Sequence, residues 1–143
     1  MAEMKKYRAG RMIMGRLEYG ADLLEEITEI CRKEDIRMGR VEAIGAVSGA
    51  RLGFYNQDTH EYQFFTIDQP LEILSLAGNV SIKDGESMVH AHVVLGDKEG
   101  KAFGGHLAAG TTVFACECIV EVLEGPTLER AIDEKTRLPL WKI

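Results

Sequence analysis

Three of the four histidines lie in one stretch, Met88 to Leu107, as His90, His92 and His106. Three neutral imidazoles gathered round one point make a donor set for a divalent transition metal, with a further position left for water or substrate. The alternative is a His-x-His pair on a polar strand face that only hydrogen-bonds. The elements that carry these side chains decide between the two.

Residues Val89 to Leu95 are rich in β-branched and apolar types and too short for a comfortable helix, which predicts a strand. Side chains alternate along a strand, so His90 and His92 share a face, roughly 6.5 to 7 Å apart. The glycine-bracketed polar segment Gly96-Asp97-Lys98-Glu99-Gly100 reads as a hairpin loop, and His106 returns on the partner strand. Register then matters. If Leu95 pairs with Lys101, His90 faces His106; if Gly96 pairs with Lys101, His106 turns to the other face. A loop of three or five residues therefore gathers all three rings. Gly104-Gly105 either adds a bulge that spoils this count or lets the backbone bring His106 close.

A hydrolytic reaction at such a centre also needs a general base. Read as a two-residue turn, Ala109-Gly110 pairs His106 with Val113 and puts Val113, Ala115 and Glu117 on the histidine face, making Glu117 the candidate base. No substrate-specific motif is legible, so the sequence assigns no enzymatic activity. His60, beside the turn Asn56 to Thr59, has no ligand-spaced neighbour and reads as a solvated loop residue.

The rest of the chain supplies the scaffold. Lys6 to Glu18 alternates well enough for a first strand. Asp22 and Glu25 resemble a capping box, and Leu23, Leu24, Ile27, Ile30 and Cys31 form one apolar stripe of a helix over about 22–34. Strands are expected over Gly39–Tyr55, Tyr62–Ile67, Leu71–Ile82 and Thr111–Leu123, and a short helical piece over Leu128–Asp133. The glycines at 45, 49 and 53 fit bends or close backbone packing rather than a phosphate-binding loop. The expected class is α+β, with roughly seven strands in a mainly antiparallel sheet, in a single domain spanning 1–143.

Composition narrows the function classes. With 17 basic against 23 acidic residues the net charge is -6, which disfavours a phosphate-gripping surface. Three cysteines, Cys31, Cys116 and Cys118, show no disulfide-framework spacing and suit a reducing cytoplasm, most simply as small buried apolar groups. There is no export-type leader and no run of 18 apolar residues, so neither secretion nor a membrane span is expected. The apolar tail Leu138-Pro139-Leu140-Trp141-Lys142-Ile143 suggests docking on a core or a neighbouring subunit.

Four segments together resemble the plants-and-prokaryotes-conserved (PPC) domain, which plant AT-hook nuclear proteins also carry. They are Ile44-Gly45-Ala46-Val47-Ser48, Leu71 to Ser81, Val89-His90-Ala91-His92-Val93-Val94-Leu95-Gly96-Asp97, and Gly104-Gly105-His106-Leu107, within a likeness from about Arg11 to Glu124. The resemblance implies a homotrimer of α+β subunits, and a metal ion, zinc, on the matching His90, His92 and His106. It also brings the family's DNA-binding label, and here the chain departs. No Arg-Gly-Arg-Pro hook occurs; Gly10-Arg11 and Gly39-Arg40 are the nearest approaches. The plant partner-contact motif Gly-Arg-Phe-Glu-Ile-Leu reads Gln69-Pro70-Leu71-Glu72-Ile73-Leu74, different at three of six positions. Three functions therefore compete: a metal-binding trimer, structural or hydrolytic; a DNA-associated regulator; and a plain interaction module.

Overall fold

The computed structural model describes residues 2–143. In chain order the elements are β1 (Arg8–Leu17), α1 (Leu23–Lys33), β2 (Gly39–Asn56), β3 (Glu61–Ile67), β4 (Leu71–Lys83), β5 (Glu86–Gly96), β6 (Ala102–Leu107), β7 (Thr112–Glu124), β8 (Arg130–Ile132) and β9 (Pro139–Trp141). Seven strands form one antiparallel sheet, ordered β1-β7-β2-β4-β5-β6 with β3 beside β2, and β8 pairs with β9. Sheet dominates and α1 has only 11 residues, so the class is mainly β rather than the expected α+β. The helical piece expected over Leu128–Asp133 is also corrected. Its centre is the strand β8, held by the ladder Arg130 to Trp141, Ala131 to Leu140 and Ile132 to Pro139.

The helix follows from its stripe. Asp22 caps it, its Oδ1 accepting from the Leu24 and Glu25 backbone amides at 3.1 and 3.0 Å. Its Oδ2 accepts from the Gly110 amide, so one carboxylate ties the helix start to the loop before β7. Glu25 and Glu26 open the helix and Arg32 and Lys33 close it, as the macrodipole favours. Leu23, Ile27 and Cys31 are fully buried against the inner sheet face, among Val89, Ala91, Val93, Cys116 and Cys118. All three cysteines are free and buried. Burial pushes the Cys31 and Cys116 thiols up to about 11 and Cys118 to about 12, so they stay protonated core groups.

β2 is the organising strand. Its first half lies between β7 and β4, and its second half pairs with β3 and touches β6. The change falls between Val47 and Ala50, a few residues after Gly45, whose φ of +146° and whose ideal Cβ, 2.1 Å from the Ala115 carbonyl oxygen, leave room for no side chain. Facing it, β4 carries an extra residue at Leu74: Ile73 and Ser75 are both paired with β5, and Leu74 stands out of the ladder. Because Leu52 and Gly53 of β2 pair with Leu107 and His106 of β6, the strands β2-β4-β5-β6 coil back onto β2. The coiling brings the edge strand β6, and the third histidine, onto the middle of the sheet.

Candidate metal centre

The β5–β6 loop is Asp97 to Lys101, five residues, since Gly96 pairs with Ala102 and the ladder runs through Leu95–Phe103 and Val93–Gly105 to His92–His106. Asp97 stabilises it, its Oδ1 accepting from the Glu99 and Lys101 amides at 2.9 Å. The odd count puts all three rings on the outer face, with His92 rather than His90 directly opposite His106. Gly104 and Gly105 add no bulge. Gly105 instead allows a close approach, since a Cβ there would lie 2.9 Å from the Gly53 carbonyl oxygen of β2.

The three rings converge. Their centroids are 5.1 Å apart for His90 and His92, 5.0 Å for His90 and His106, and 5.6 Å for His92 and His106. One ring nitrogen from each lies within 4.8 Å of those of the others, and the Nε2 atoms of His90 and His92 are 3.3 Å apart. Burial lowers the His90 pKa to about 4, helped by the neighbouring His106, then Arg130 and His92. Burial and then His92 lower that of His106. Both rings are thus held neutral near pH 7, the form that offers a lone pair. Among the described residues, His106 Nδ1 is the one buried side-chain nitrogen or oxygen without a hydrogen-bond partner. A buried polar atom left bare costs about 1–3 kcal/mol, and a metal ion at the cluster is one way to recover it. The donor set and the orphaned nitrogen fit a divalent ion.

Residues not singled out from sequence frame the cluster. On one side the Tyr62 ring lies 4.8 Å from His106 and stacks on Phe64 at 5.7 Å. On the other, His90 is the cross-strand partner of Asn79 and His92 of Ala77. The Arg130 guanidinium donates to Asn79 Oδ1 at 2.6 Å, Ser81 Oγ at 2.8 Å and the Pro139 carbonyl at 2.9 Å. Trp141 also donates to Ser81 Oγ, at 3.1 Å. At the far end of the C-terminal hairpin, the Tyr55 hydroxyl donates to the Thr136 carbonyl at 2.6 Å. The β8–β9 hairpin is thus fastened to β4 at one end and to β2 at the other, the strands that flank the histidine-bearing pair. Tyr62 was visible in the sequence as a strand aromatic, but nothing local pointed it at His106. Arg130 was hidden in a segment of helical composition.

Glu117 and His60 stand elsewhere. The turn expected at Ala109-Gly110 does not pair β6 with β7: β6 pairs with β5 and β2, and β7 with β1 and β2. Glu117 is therefore opposite Arg16 and Ile44 and outside the three-histidine group. His60 occupies an exposed turn with φ +57°.

Fold and site together define a mainly-β protein with a histidine cluster on the outer face of a coiled sheet. A family model for the Plants and Prokaryotes Conserved (PCC) domain matches residues 4–124, and the chain belongs to that family. A solved structure described as a metal-containing protein from Archaeoglobus fulgidus is 43% identical, with a TM-score of 0.94, covering 99% of this chain and 100% of that one. A plant- and prokaryote-conserved (PPC) protein from Pyrococcus horikoshii is 36% identical with a TM-score of 0.93, covering 99% and 98%. One from Bacteroides thetaiotaomicron, provisionally described as DNA-binding, shares the fold at 23% identity and a TM-score of 0.86, covering 95% and 96%. Among curated proteins, the bifunctional protein GlmU of Synechococcus sp. (strain JA-3-3Ab) is 35% identical over 106 residues, which is 73% of this chain. The chain spans only 16% of the length of that relative. Among the described residues no helix is long and apolar enough to cross a membrane.

Proposed function

We propose that the chain binds a divalent metal, zinc, through His90, His92 and His106, as the subunit of a homotrimer. The observation that carries the metal reading is the convergence of three imidazole nitrogens within 4.8 Å beside an unpartnered buried Nδ1. A metal held by three neutral imidazoles keeps its full positive charge and supplies Lewis acidity to whatever ligand completes it. Tyr62 packs on the His106 ring, and His90 and His106 are both part-buried. The likeness to a metal-containing archaeal protein at 43% identity supports the same reading. The test is metal analysis of untagged protein: wild type retains about one ion per chain and His92→Ala loses it. Equal metal content in both preparations would overturn the assignment.

The family resemblance supplies the number three, and the outer face of β1, β2 and β4 supports a subunit contact. Met14, Ile44 and Leu74 are 68%, 57% and 53% exposed there and border a depression of about 640 Å³ that also includes Ala77, the cross-strand partner of His92. Large apolar side chains grouped this way mark an interaction surface, and a closed ring of identical subunits would cover it. Sedimentation should give three times the 15.9 kDa chain mass, and a monomeric wild type would refute the assembly.

A further inference from the structure

Arg130 is a half-buried guanidinium with no carboxylate partner among the described residues. A guanidinium has five N–H donors, and three are spent on Ser81, Pro139 and Asn79, leaving two. Every anchor it has is neutral. Through Asn79, the cross-strand partner of His90 on the same sheet face, its charge is fixed beside the histidine cluster. Among the described residues no carboxylate joins that cluster either. A divalent ion at the cluster would therefore face a second uncompensated cation in a partly desolvated place, an arrangement that repels unless an anion joins it. Arginine is also the side chain best shaped to clasp the planar or trigonal oxygens of such an anion.

We propose that Arg130 makes the centre selective for a small ligand bearing an oxyanion, a carboxylate or phosphoryl group, held between the metal and the free donors of the guanidinium. The proposal rests on the metal reading above and adds the chemical class of what the metal takes. The Tyr62 and Phe64 rings wall the opposite side, so the part of the ligand beyond its anionic group meets an apolar surface.

The experiment uses untagged full-length protein loaded with cobalt(II), whose visible spectrum reports the ligand completing the site. Wild type should change spectrum on titration with acetate or with phosphate, and the tighter of the two names the source of the oxyanion. Arg130→Gln should keep its cobalt but raise the half-saturating anion concentration about tenfold, equivalent to about 1.4 kcal/mol, and Arg130→Lys should recover part of the loss. Asn79→Asp, which keeps the hydrogen bond while neutralising the guanidinium, should weaken the anion as well and serves if the glutamine variant does not fold. Cobalt bound with unchanged anion affinity in Arg130→Gln or Asn79→Asp, or a wild type that answers neither anion, overturns this proposal alone. Failure of wild type to hold cobalt overturns the metal reading and this one with it.

Discussion

His106 packs against Tyr62 at 4.8 Å while its Nδ1 meets no partner. One ring is thus fixed by an aromatic wall and left short of one polar contact, the condition in which a ligand atom has most to offer. Adding zinc at 100 times its dissociation constant should stabilise the metal-free protein by about 2.7 kcal/mol, read as a rise in Tm. His106→Ala should abolish the rise. A Tm that zinc does not move would mean that the folded protein has no preference for the ion.

The lowered pKa values give a sign to the pH dependence. In the unfolded chain a histidine protonates near pH 6.5, whereas burial holds His90 down to about 4 and His106 below its ordinary value. Between these limits the unfolded state binds more protons, so the stability of the metal-free protein should fall as pH drops from about 6.5 towards 4. Urea denaturation in the presence of a chelator checks this. His90→Gln should flatten the slope, and a wild-type stability independent of pH across that window would contradict it.

Gly105→Ala should cost about 1–3 kcal/mol, the usual range for overpacking. The added methyl would sit 2.9 Å from the Gly53 carbonyl oxygen and push β6 off β2. Because His106 is the next residue, metal retention should fall along with stability. Loss of stability with full metal retention would show that β2 does not position the ligand.

Asp22→Ala should lie at the upper end of the roughly 0.5–2 kcal/mol expected for an N-cap. The carboxylate also holds the Gly110 amide of the loop before β7, so its removal loosens two elements. Thermal unfolding of the variant measures the total. A change of a few tenths would mean that water replaces both contacts.

Ile44→Asp combined with Leu74→Asp should leave a folded monomer by sedimentation and circular dichroism, because both residues are exposed on the outer face and neither belongs to the core. A trimer that survives both charges would place the subunit contact elsewhere.

What an odd β5–β6 loop would do was legible, because it depends only on local alternation, but the sequence left both registers open; the structure has five residues there, which bring His106 round to His90 and His92. The helix was legible for the same reason, from one capping aspartate and one apolar stripe. What lay beyond reach was non-local. Nothing near Ala109-Gly110 says that β6 prefers Leu52 and Gly53 to β7, and that choice left Glu117 opposite Arg16 and Ile44, outside the histidine cluster. Leu128 to Asp133 has helical composition. Its strand is instead imposed by three hydrogen bonds from Arg130 and a ladder to residues 139–141, where tertiary contacts outweigh propensity.

The short strand β6 is gripped along both edges, by β5 over residues 92–96 and by β2 at Leu52 and Gly53. A chelator that stripped the proposed ion would therefore not set His106 adrift. The empty cup would keep its shape, and because burial already holds His90 and His106 neutral near pH 7, loading it would be a matter of diffusion rather than of rebuilding the chain.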